Sequence, residues 1–186
     1  MAKNAKVSVG LIYQYYGEKE DLLFLALLEI VQAYKSKIPP ALEQVETPLE
    51  RFTAAVQAYC RVHANSSDTT MLAYRETASL TPAHRKIIKQ YETETNELIA
   101  QCVRDCIAAG VFEDIDVDIY TYHVIMFSHT WALKSWYLRT RMTFDDYLER
   151  GLDLLLRSVL TPYGIEQQEK QALRARRKRR SAASGS

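Results

Sequence analysis

Glycine and proline are scarce, at six and five in 186 residues, about half of average usage. Few tight turns can be built from so little, so the elements must be long, which points to helices. Cysteine occurs three times, at Cys60, Cys102 and Cys106. Three thiols cannot all pair, and this suits a reducing compartment. Long apolar runs are missing. The longest stretch without Lys, Arg, Asp or Glu is Ile119 to Leu133, 15 residues. It falls short of the ~20 that cross a bilayer, and it holds His123, Ser128, His129 and Thr130. No basic-then-apolar leader opens the chain. The expectation is a cytoplasmic protein with no membrane partner. Catalytic signatures are missing too: there is no Gly-x-Ser-x-Gly, no His-Glu-x-x-His and no glycine-rich phosphate loop. The chain therefore reads as a non-enzyme, with no cofactor.

Apolar residues make up 47% and charged residues 25%, an ordinary globular balance for one or two domains. The net charge of +1 hides a split. From Glu169 onward there are seven Lys/Arg and one Glu, whereas residues 1–168 carry 17 basic and 22 acidic groups. Residues 166–186 read as a basic, largely disordered tail, suited either to non-specific phosphate attraction or simply to solubility.

Helix punctuation divides the rest. Thr47-Pro48-Leu49-Glu50 carries a capping box with proline at the first helical position. Thr81-Pro82 repeats its first two parts, and Thr143 with Asp146 is a further cap. Asp114, Asp116 and Asp118 suit a helix N-terminus through the macrodipole. Gly110 reads as a helix stop, and Pro39-Pro40 is expected to end the helix before it. Helices are predicted near 8–15, 18–37, 47–64, 69–79, 82–109, 116–139 and 143–161. No sustained period-2 alternation marks a strand. The last two helices are apolar over most of their circumference and need cover on more than one side. A second copy of the chain is the expected cover, with Leu152, Leu155, Leu156 and Val159 as the seam of a four-helix homodimer interface.

The informative segment is Val7-Ser8-Val9-Gly10-Leu11-Ile12-Tyr13-Gln14-Tyr15-Tyr16-Gly17-Glu18-Lys19-Glu20-Asp21-Leu22-Leu23. It resembles the recognition-helix region of the TetR family of bacterial regulators. The pattern matches at Val7, Ser8, Gly10, Tyr13, Tyr15, Lys19, Glu20 and Leu22, with Tyr16 in a slot where the family has Phe. The resemblance implies an all-α chain. Residues 1–40 would be a partial helix-turn-helix DNA-binding domain and residues 41–165 a ligand-binding and dimerisation domain. It implies a double-stranded DNA operator as partner, and a repressor released by a small-molecule inducer.

The chemistry suits that role. Ser8 and Gly10 are small enough to let the backbone approach a major groove. Tyr13, Tyr15 and Lys19 would hold phosphates and fix register. Val9, Leu11 and Gln14 would face base edges, the first two against thymine methyls and Gln14 against adenine. Ile12 and Tyr16 read as core. The family pattern also has a full first helix ahead of this segment, so the chain is expected to be N-terminally shortened. Without that helix, each of Ile12, Tyr16 and Leu23 left uncovered forfeits about 1.5–3 kcal/mol. The alternative is a helical dimerisation and ligand-binding module that no longer binds DNA specifically.

Tyr74-Arg75-Glu76, Gly110-Val111-Phe112 and Trp131 to Tyr137 resemble, more weakly, the fatty acyl-CoA-responsive subgroup. Met71, Leu72, Tyr91, Met126, Phe127 and Trp131 could line an apolar slot. Tyr74 belongs to the subgroup-like motif, and Arg75, His129 and Lys134 could meet polar or phosphate groups. Ordinary core packing, and an Arg75–Glu76 ion pair, are the plainer readings of the same residues. Cys102, Cys106, His123 and His129 read as packed or hydrogen-bonded groups rather than as metal ligands, because a sensor needs three or four donors converging.

Overall fold

The computed structural model of the chain describes residues 19–183, and side chains from Glu20 to Arg174. Its helices are α1 (Lys19–Glu43), α2 (Pro48–Asn65), α3 (Ser67–Glu76), α4 (Pro82–Ala108), α5 (Val117–Leu133), α6 (Ser135–Leu138), α7 (Phe144–Arg157) and α8 (Pro162–Ala183). A 3-10 turn, Thr77–Ser79, follows α3. Among the described residues the only β contact is an isolated bridge between Phe112 and Leu160. The all-α expectation holds.

The caps form where the sequence places them. Thr47 and Glu50 exchange both bonds of a capping box at α2. Thr81 accepts from the His84 amide at α4, Asp116 from the Ile119 amide at α5, and Thr143 pairs with Asp146 at α7. Each satisfies amides that the first helical turn leaves without a partner. Gly110 stops α4 with a positive φ of 67°, a conformation that glycine adopts without steric cost.

Four expectations need correction. Pro39 and Pro40 do not end α1, which runs on to Glu43. The carbonyls of Lys35 and Ser36 lose their helical donors, but both residues lie on the exposed side, where water can pair them. Ile38 and Leu42 meanwhile stay on the buried stripe, and that burial keeps the helix continuous. The helix expected over 116–139 breaks at Lys134, whose φ of −117° and ψ of 21° are not helical. Beyond it Trp136 and Tyr137 are exposed, so no core holds the helix straight. The tail expected to be disordered is helical from Pro162 to Ala183. Its start is tied down by Thr161, which accepts from the Gly164 amide at 2.9 Å, and Arg174 meets Glu50 on α2 at 3.7 Å.

The fourth correction concerns the seam. Leu152, Leu156 and Val159 are only 5%, 5% and 4% exposed within a single subunit, and Leu155 is partly buried against the same core. Leu148, Leu152 and Leu156 share one face of α7 at four-residue spacing, and α7 packs on α2 and α5. Leu154, on the opposite side, is 70% exposed.

The core is built around α2. Leu49, Phe52, Ala55, Val56, Tyr59 and Cys60 are buried, with α1, α4 and α5 packed around the helix. Phe52 meets Phe112 edge-on at 5.1 Å between ring centres. Cys102 and Cys106 lie in this core, where burial pushes their thiols up to about 11 and about 12. Two glycines allow close approaches: a Cβ at Gly151 would fall on the Phe127 ring, and one at Gly164 on the Val111 carbonyl oxygen.

Candidate functional site

A cavity of about 330 Å³ lies between α1, α2, α3, α4 and α5. Helix α1 contributes Leu27, Ile30, Val31 and Tyr34, and α4 contributes Ile88, Lys89 and Glu92. Tyr59 and His63 come from α2, and His129 comes from α5. On α3 and the turn after it, Thr70, Ala73, Tyr74 and Thr77 face inward, at offsets of three, four and seven residues that share one helix face.

One wall is a polar network. The Tyr34 hydroxyl bonds His63 Nε2 at 2.7 Å, and His63 Nδ1 bonds Thr70 Oγ1 at 3.0 Å. His129 is held from both sides, by the Tyr59 hydroxyl at 3.2 Å and the Tyr74 hydroxyl at 2.6 Å. The two imidazoles meet edge to face with centres 4.1 Å apart. Burial disfavours the imidazolium in both: His63 is pushed well below its ordinary range, with His129 adding to the effect, and His129 falls to about 4. Each neutral ring therefore donates through one nitrogen and accepts through the other. Burial also raises the Tyr34 and Tyr59 phenols, so this wall is uncharged. Glu92 is the acidic group on the lining, its carboxyl raised by burial and opposed by Lys89.

Of the ligand-contact residues expected from sequence, Tyr74 and His129 line this cavity. Met126 stands beside them, its sulfur 3.7 Å from the Tyr74 hydroxyl. The others lie elsewhere. Met71, Leu72 and Arg75 are on the exposed side of α3. Tyr91 sits under the Lys35 ammonium at 4.1 Å, off the lining. Phe127 stacks on Tyr147 at 4.8 Å, and Trp131 packs against Phe144 and Tyr147. Lys134 is the exposed C-cap of α5. The separation is geometric: residues two apart on a helix point to nearly opposite sides, so Phe127 and Trp131 face α7 while His129 faces the cavity.

The expected DNA-contact residues Ser8, Val9, Gly10, Leu11, Tyr13, Gln14 and Tyr15, and the Lys19 side chain, lie outside the described residues. Sequence reasoning missed Tyr34, Tyr59, His63, Thr70 and Glu92 as lining. The available signal was polar groups on otherwise apolar helical faces, Tyr59 and His63 above all, four residues apart.

Residues 45–159 match the family described as Tetracyclin repressor-like, C-terminal domain. The HTH-type transcriptional regulator HbdR of Aromatoleum sp. (strain CIB) is 43% identical over 164 residues, covering 88% of this chain and 72% of that protein. A bacterial regulatory protein in the TetR family from Rhodococcus RHA1 superposes with a TM-score of 0.74 at 24% identity, over 85% of this chain and 83% of that one. AibR, solved in complex with isovaleryl coenzyme A and operator DNA, superposes with a TM-score of 0.71 at 15% identity, over 83% and 84% of the two chains. With the family match spanning most of the chain and the HbdR identity extending beyond it, this chain belongs to the TetR family of transcriptional regulators.

Proposed function

We propose that the chain is a DNA-binding repressor that a small ligand, an acyl-CoA, releases from its operator. The observation that carries this reading is the cavity against α1. The helix that lines one side of it follows directly on the recognition-like segment Val7 to Lys19. A ligand seated there and preferring one position of α1 shifts the DNA-competent population by its differential affinity for the two states. The volume of about 330 Å³ is at the small end of ligand sites and favours a compact acyl group over a long chain. AibR, of the same fold, was solved with isovaleryl coenzyme A and operator DNA, which supports the class.

Two copies would act together, because a helix-turn-helix dimer places its recognition helices roughly 34–36 Å apart in successive major grooves. Helix α5 offers an outward face for the pairing, with Ile119 and Tyr122 exposed.

The test is operator affinity, on a palindrome selected from random DNA, with and without a panel of acyl-CoAs. A loss of affinity with a compact acyl-CoA is expected. Equal affinity across the panel removes the acyl-CoA assignment, and failure to select any sequence removes specific DNA binding. Within the same assay Lys19→Ala should weaken binding to all sequences alike, by a lost phosphate contact. Gln14→Ala should relax preference at one base pair by about 1–3 kcal/mol.

A further inference from the structure

Helices α1 and α4 flank the cavity, and two joints hold them together, one on each side of it. One is Lys35, which pairs with Glu94 at 2.8 Å and lies over the Tyr91 ring at 4.1 Å, with both charged side chains about half exposed. Solvent-screened pairs of that kind contribute little. The other is at the starts of both helices and is of a different kind. Glu20 Oε1 accepts from the Thr81 backbone amide at 2.8 Å, and the two oxygens of the same carboxylate accept a hydrogen bond from His84 Nδ1–H at 2.9 and 3.1 Å. The His84 ring lies flat on Phe24, with centres 3.9 Å apart and planes 6° from parallel. Glu20 and His84 side chains are only 18% and 28% exposed. The carboxyl of Glu20 is held below its usual range, chiefly by the Thr81 amide, so it accepts as a carboxylate. Asp21 lies close to the pair.

From these contacts we infer that Glu20, Phe24 and His84 form a latch that sets the spacing of α1 and α4 across the cavity, and that His84 is a positioning residue for the ligand response. The direction of its effect rests on the ligand-release reading above. The cavity groups of α1 begin at Leu27, one turn beyond Phe24, and those of α4 at Ile88, one turn beyond His84. A ligand that wedges the helices apart works against the latch. The closed latch therefore favours the ligand-poor, DNA-holding arrangement, and opening it trades operator affinity for ligand affinity. Each apparent affinity scales with the population of its competent state, so opening the latch raises one and lowers the other. A part that is merely structural would lower both.

The test uses the full chain with spin labels at Leu25→Cys and Lys86→Cys, both exposed positions. The native Cys60, Cys102 and Cys106 are buried, with thiols raised to about 12, 11 and 12, and do not compete for the label. The pocket probe is 8-anilino-1-naphthalenesulfonate. In His84→Ala and Glu20→Ala the label distance should lengthen or broaden without any ligand. The dye should bind about fivefold tighter or more, and operator affinity should fall. His84→Asn, which keeps a donor near the Nδ1 position, should recover most of the wild-type distance. An unchanged label distance overturns the latch, and so does joint weakening of dye and operator binding. If the wild-type chain selects no operator, the regulator reading fails, while label distance and dye affinity still decide the latch.

Discussion

His63 and His129 show how one residue type can be core and site together. Both rings are buried, paired by tyrosine and threonine hydroxyls, and kept neutral. In the unfolded chain each takes a proton near the ordinary histidine value of about 6.5. The folded values are depressed, so below about 6.5 the unfolded state binds more protons and stability falls with pH until the folded value, about 4 for His129, is reached. Urea midpoints should therefore drop between pH 7 and pH 5, by on the order of 1 kcal/mol of stability per unit in that window. His129→Gln should flatten the slope. An identical slope in that variant would assign the pH response to other groups. His129 stood out in the sequence as a polar break in an apolar stretch, whereas His63, beside Arg61 and Asn65, did not. Their meeting, 66 positions apart, was not legible there, because only the packing of α2 against α5 brings the rings together.

At the scale of elements, local chemistry was legible and long-range cover was not. Thr47, Pro48 and Glu50 announce a helix start with no knowledge of neighbours, and the capping box forms as read. Thr47→Ala removes an acceptor for the Glu50 amide and should cost about 0.5–2 kcal/mol, measurable as a lower urea midpoint with an unchanged m-value. Pro39 and Pro40 carry an equally clear local signal, yet α1 runs through them. Burial of Ile38 and Leu42 decides there, and no local pattern contains that term. Helix α7 repeats the point. Its apolar breadth was visible, but which leucines face inward depends on where α2 lies. Leu148, Leu152 and Leu156 took the inner face and left Leu154 outside.

For the whole molecule, that exposed Leu154 and the outer face of α5, with Ile119 at 59% and Tyr122 at 58% exposed, are where a second copy is expected to pair. Tyr122→Glu with Leu154→Glu should turn a dimer into a monomer by analytical ultracentrifugation at micromolar concentration, with the helical circular dichroism retained. A dimer that survives both changes would move the interface elsewhere. The all-α class, the cap positions and the family resemblance were legible in the sequence alone, because propensity, capping and the Val7–Lys19 motif act within a few residues of one another. The cavity was decided only by the tertiary structure. Its lining comes from five helices, and on each one the partner helices select the inward face. For that reason Tyr74 and His129 reach the cavity, while Phe127 and Trp131, neighbours of His129 in sequence, turn away to α7.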